Sequence, residues 1–254
     1  MLAALVDAEI APDMIIGTSI GAVNGAMFAA EPTRAGIERL ETAWRDLAAD
    51  SVLVPRKRDQ FRNLVRLAPS LVGHASFERW LEAQLPIDRF EQAVVPFECV
   101  AASIERAAEQ WFDRGPLVPA LLASASIPGV FPPVEIGGEH FYDGGLVNSI
   151  PISKAIERGA RTIYVLQVGR VEQRLSVPKR WYEAGLVALE ISRRHRFGTV
   201  RDGLPDDVDL HLLPSGHDLE PSDRRQLKWS DFSATDDLIG GARNATSRYL
   251  DGLE

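Results

Sequence analysis

Three observations predict an α/β layered fold with a mostly parallel sheet. Short apolar or β-branched runs alternate with segments of helical periodicity along the chain. The run TIYVLQVG, bounded by Arg161 and Gly169, has the composition of a buried strand. Near the front, IIGTSIGAVNGA passes from an apolar strand through a glycine turn into a small-residue helix suited to close packing on a sheet.

The elements follow in order. Residues 1–9 place Leu2, Leu5 and Val6 on one helical face, with Ile10 just past its end, and Pro12 and Asp13 break the helix. Met14, Ile15 and Ile16 form a short buried strand, and AVNGAMFAA a helix. From Thr33 to Ala49, the residues Ile37, Leu40, Trp44 and Leu47 recur at helical spacing. Residues 51–90 change character: a basic stretch, PRKRDQFRNLVRLAP, precedes SFERWLEAQLP, and the segment reads as a cap or insert in a single domain spanning 1–254. FECVAASI predicts a core strand and EQWFDRG a second strand or turn. VPALLASASIPGVFPPVEIGG predicts a helix ending at Pro128 and then an irregular turn. HFYDGGLVNSIPI reads as a strand, a glycine turn and the entry to the helix SKAIERGA. A helix from Pro178 to about Val200, the strand VDLHLLPSG and a C-terminal helix capped by Asp231 or Ser233 complete the pattern.

Composition narrows the function. At 254 residues, 45% hydrophobic and 25% charged, the chain has an ordinary globular make-up. A net charge of −8 argues against a nucleic-acid partner. The single cysteine, Cys99 in PFECVAAS, excludes an intramolecular disulfide and a cysteine-rich metal site, and its apolar setting predicts a buried thiol. No apolar run approaches the ~20 residues that span a bilayer. The first residues lack the pattern of a signal peptide, so a cytoplasmic protein is expected, in peripheral contact with membrane at most.

GTSIG is a Gly-x-Ser-x-Gly between a strand and a helix. Such a turn forces its central residue into a strained conformation, and Gly17 and Gly21 remove Cβ atoms expected to clash. Ser19 then stands clear of the sheet, at a helix N-terminus that favours developing negative charge. The plainer alternative is a glycine-rich bend without chemistry. A serine nucleophile also needs a base. His74 and His217 fall in loops, His195 in the basic run SRRHR, and His211 between apolar neighbours. His140 lies near a carboxylate in EHFYDGG, but strand alternation puts His140 and Tyr142 on the face opposite Asp143. Asp143 precedes Gly144 and Gly145, the pattern of a tight turn at a strand end, where open α/β sheets place ligand sites. A surface Asp-Gly turn is the alternative there.

GTSIGAVNGA, followed about 120 residues on by YDGGLVNSIP, resembles the patatin-like phospholipase family. ASASIPGVFPPV and the tail DFSATDDLIGGA are similar to the family too, so the resemblance runs from about residue 1 to 250. It implies a three-layer α/β/α sandwich with a mostly parallel central sheet and a serine–aspartate dyad without histidine. Ser19 would be the nucleophile and Asp143 the proton acceptor, with Gly17, Gly21, Gly144 and Gly145 as motif glycines. The implied activity is hydrolysis of a lipid or other acyl ester, of phospholipase A or esterase type, through an acyl-enzyme and with no cofactor or metal.

The front of the chain departs from the family's pattern. MLAALVDAEIAPD matches the end of the family's first helix, so the preceding strand and glycine-rich oxyanion loop are expected to be missing, leaving the backbone N–H of Ile20. Losing one oxyanion donor costs ~10²–10³ in turnover. The favoured expectation is that Met1 lies downstream of the native start and the native protein is a normal enzyme. A weakened hydrolase, or a non-catalytic lipid- or partner-binding remnant of the same fold, competes with it, and a histidine-dependent esterase using His140 is a third. Residues 55–68 read as a basic amphipathic helix, suited to transient contact with an anionic membrane surface or to covering the cleft or core. Trp80 and Leu81 are candidates to line an acyl channel.

Overall fold

The computed structural model describes residues 1–49, 73–167, 175, 177–178, 181–216 and 235–253. In chain order the elements are α1 (Leu2–Asp7), β1 (Ile15–Thr18), α2 (Ile20–Ala30), α3 (Arg34–Ala49), α4 (Ala75–Gln84), β2 (Phe97–Ser103), β3 (Ala108–Phe112), α5 (Leu117–Ser124), β4 (Val134–Ile136), β5 (Glu139–Asp143), α6 (Ile152–Glu157), β6 (Thr162–Leu166), α7 (Trp181–Asp202), β7 (Asp209–Leu213) and α8 (Thr235–Asp251). The fold class is α/β, as predicted. The basic stretch at 55–68 and the expected caps Asp231 and Ser233 lie outside the described residues.

The chain forms two compact units, one from Pro12 to Ser149 and one from Met1–Ala11 together with Ile150–Glu254. The first holds a five-stranded mixed sheet. β1 runs parallel to β2, while β3 and β5 pair antiparallel with β2, and β4 with β5. The antiparallel share exceeds the prediction because two hairpins return directly. One carries β2 into β3, and the other joins β4 to β5 through Gly137 and Gly138, both at positive φ (63° and 83°). That second hairpin replaces the irregular turn expected there, and α5 stops at Ser124 rather than Pro128.

Every residue of β2 is buried. Its register explains much of the site. β3 follows one flank of β2 along Cys99–Ser103. β1 pairs with Phe97–Val100 and β5 with Ala101–Ser103, so both must lie on the opposite flank. They meet head to head there: Thr18 stands opposite Val100 and Asp143 opposite Ala101. Gly25 of α2 faces Ile15 and Phe97, and Ala123 of α5 clusters with Ala101 and Phe141. Phe97 and Ala101 share one face of β2 by strand alternation, so α2 and α5 pack on the same side of the sheet.

In the other unit β6 and β7 run parallel. One face of the pair, with Ile163, Val165, Leu210 and Leu212, packs on Ile152 of α6 and Phe197 of α7. The opposite face, with Tyr164 and Leu213, packs on Ala4 and Leu5 of α1 and Leu250 of α8. Helices thus cover both faces of the strand pair, a three-layer arrangement. β6 itself alternates in exposure: Ile163 and Val165 are buried, Thr162 and Leu166 exposed, so it is not buried throughout as its composition predicts.

Candidate active site

Ser19 leaves β1 at φ 57° and ψ −128° and acts as the N-cap of α2. This is a sparsely populated conformation for a residue with a Cβ, and it persists only where surrounding structure enforces it. Gly17 supplies part of the enforcement: a Cβ there would fall 2.5 Å from Ala22 Cα and 2.7 Å from the Gly21 carbonyl oxygen. Gly21 does not do the same. A Cβ at Gly21 would meet nothing within 4 Å, so the clash expected at that position is not found. The N–H of Ile20, first residue of α2, has no acceptor among the described residues.

Asp143 ends β5, and its carboxylate is held on both sides. Ser19 Oγ donates to Asp143 Oδ2 at 2.6 Å, and the Gly145 N–H donates to Oδ1 at 2.7 Å. The aspartate is 7% exposed. Gly144 is obligatory, because a Cβ there would lie 2.1 Å from the Val100 carbonyl oxygen. Gly145 is crowded by the carboxylate, with a Cβ placed 2.9 Å from Asp143 Oδ1. The five residues Gly17, Ser19, Asp143, Gly144 and Gly145 are therefore brought together, and Ile20 and Gly21 open the adjoining helix.

A second layer of bonds escaped the sequence reading. The buried Ser124 hydroxyl accepts from the Ser19 N–H at 3.0 Å and donates to the Val100 carbonyl at 2.7 Å. The Ser126 carbonyl accepts from the Asp143 N–H at 2.9 Å. The Thr18 hydroxyl donates to the Asn148 carbonyl at 2.9 Å, tying the strand end beside Ser19 to the loop beyond Asp143. Ser126 Oγ donates to the Leu122 carbonyl at 2.6 Å and lies 2.8 Å from His74 Nε2. With its hydrogen committed to Leu122, that hydroxyl can only accept from His74. Burial lowers the His74 pKa below 6.5. ASASIP was noted only for its resemblance, and nothing in its composition signals these bonds.

The other candidates are placed elsewhere. His140 pairs through Nδ1 with Glu105 at 2.7 Å on the more exposed face of β5, away from Asp143. Trp80 and Leu81 are buried rather than lining an open channel: Trp80 packs against Trp44 and Phe77, with ring centroids 5.7 and 5.9 Å apart. A surface groove of about 770 Å³ beside Leu85, Arg89 and Pro116 is lined by neither Ser19 nor Asp143. Among the described residues no helix is long and apolar enough to cross a membrane.

The strained serine, the paired aspartate and the α/β frame together define a patatin-like protein. Residues 1–156 match the family described as patatin-like phospholipase, and the chain belongs to that family. It is similar to lysophospholipase NTE1 of Candida glabrata, 29% identical over 182 residues, covering 68% of this chain and 10% of that protein. Human patatin-like phospholipase domain-containing protein 6 is 27% identical over 175 residues, covering 68% of this chain and 12% of that protein. An uncharacterized NTE family protein of Mycobacterium bovis is 30% identical over 142 residues, 55% of this chain and 36% of that one. The matched region is thus a minor part of each of these relatives.

Proposed function

We propose that the protein is a lipid acyl hydrolase in which Ser19 is the nucleophile and Asp143 the proton acceptor. The observation that carries this reading is the 2.6 Å hydrogen bond from Ser19 Oγ to Asp143 Oδ2, made by a serine held at φ 57°. An aspartate is ordinarily a weak base, with a pKa of about 3.9, so direct contact with the hydroxyl is what lets it serve. As Ser19 Oγ attacks the ester carbonyl carbon, its proton passes to Asp143 Oδ2. The tetrahedral oxyanion is met by the Ile20 N–H at the positive end of α2. Collapse expels the alcohol, which takes the proton from Asp143. Water then attacks the acyl-serine with Asp143 again as base, releasing the fatty acid and restoring Ser19.

The surroundings suit an acyl chain. Ile20, Ile127 and Leu146 are 39%, 41% and 37% exposed. They adjoin, in the chain, Ser19, Ser126 and the glycine turn after Asp143, and supply exposed apolar side chains next to site residues in the sequence. The names of the relatives, lysophospholipase and patatin-like phospholipase domain-containing protein, agree with a lipid ester as substrate. Because one unit is built from both ends of the chain and encloses the other in sequence, we read 1–254 as one functional domain.

The test is a fluorophosphonate probe and an assay on phospholipid vesicles and p-nitrophenyl esters. Labelling should fall on Ser19, and Ser19→Ala and Asp143→Asn should each lose ~10³-fold or more in turnover. Full activity in Ser19→Ala would overturn the reading. Vesicle binding without labelling or turnover would instead assign a lipid-binding role.

A further inference from the structure

We infer that Ser124 is a positioning residue for the nucleophile: its side-chain hydroxyl selects the backbone conformation in which Ser19 reaches Asp143. At the end of β1 the ladder with β2 stops at Thr18, opposite Val100. The next N–H, that of Ser19, has no strand partner and, at a helix start, no intrahelical one. Ser124 Oγ takes it at 3.0 Å. The same oxygen sends its hydrogen to the Val100 carbonyl at 2.7 Å, so the acceptor lone pair is aimed by a bond to the template strand itself.

The hydroxyl is wholly buried, and its removal takes from the Ser19 N–H the acceptor it has among the described residues. The strained peptide then relaxes by rotating that N–H toward a partner. Rotation about the Thr18–Ser19 peptide moves Ser19 Oγ away from Asp143 and turns the Ile20 N–H with it. The other half of the dyad is gripped two residues further along the same turn, where the Ser126 carbonyl accepts the Asp143 N–H. One short segment, Ser124–Ser126, therefore sets the spacing between the two reacting groups.

This inference rests on Ser19 being the nucleophile, yet the two fail separately. In Ser124→Ala, kcat per fluorophosphonate-titrated site should drop ~10- to 100-fold, with KM within about twofold. A purely structural role would lower the melting temperature and the titratable fraction but leave kcat per site unchanged. Ser124→Cys, whose S–H keeps a weak donor and acceptor, should recover part of the loss, and serves if the alanine variant does not fold. A crystal structure of the variant judges the hydroxyl whatever the activity of the wild type. It should show Ser19 away from φ 57° and its Oγ out of hydrogen-bond reach of Asp143. An intact elbow with the 2.6 Å contact retained, or unchanged kcat per site, overturns the inference.

Discussion

Gly144 lies so close to Val100 that a Cβ on the glycine would fall 2.1 Å from the Val100 carbonyl oxygen. That carbonyl is held by β2 and by Ser124, so it cannot retreat cheaply. Gly144→Ala should therefore cost ~1–3 kcal/mol or more in urea unfolding, with loss of esterase activity, because the turn that carries Asp143 must shift. Gly21→Ala is the control: with nothing within 4 Å of its Cβ, and alanine favoured over glycine in a helix by ~0.5–1 kcal/mol, its unfolding midpoint should hold or rise. Equal midpoints for Gly144→Ala and wild type would contradict the close approach.

His74 predicts an acid-side weakness. Burial depresses its folded-state pKa below 6.5, the value it regains on unfolding. Above pH 6.5 the ring is neutral in both states and this contribution to stability is complete. As the pH falls below 6.5 the unfolded chain binds a proton that the folded ring resists, and stability drops until the folded pKa is passed. Melting curves near pH 7.5 and near pH 5.5, which bracket an ordinary histidine, should show a larger fall for wild type than for His74→Gln. Glutamine keeps an N–H for Ser126 without the titration. Parallel falls would exclude His74 as the cause.

Cys99 is buried in the middle of β2, in register with Gly17 on one side and Phe112 on the other. Burial above all, and then the neighbouring Glu98 charge, push its thiol well above the ordinary range. Only the thiolate reacts with alkylating agents. Iodoacetamide at neutral pH should leave the folded protein unlabelled and modify one site per chain after unfolding in guanidinium. Rapid labelling of the folded protein would place Cys99 outside the sheet interior.

Local features were legible in the sequence; long-range pairing was not. The positive φ at Ser19 could be anticipated because strand, glycine and helix follow each other within a dozen residues. The turn after Asp143 was legible from Gly144-Gly145 for the same reason. The head-to-head meeting of β1 and β5 on β2 left no periodic trace, since it joins segments far apart in the chain. The hairpin at Gly137-Gly138 did leave one: two glycines between VEI and EHFYD, flanked by alternating residues, carry the signal of a two-residue turn. His74 left none, because a histidine in a loop becomes informative only once Ser126 is known to lie beside it. Trp80 was not placed by its sequence, because an aromatic at helical spacing reads alike whether it borders a cavity or packs against Trp44 and Phe77.

The abutment of β1 and β5 also sets when the chemistry can begin. Ser19 is synthesised 124 residues before its partner, and until β5 zips onto β2 the hydroxyl lacks the Asp143 carboxylate. On the proposed mechanism, a nascent or truncated chain ending before Asp143 carries an inert serine, however well β1 and α2 have formed. Closure of that one strand flank is the moment at which the proposed hydrolase becomes able to attack the lipids around it.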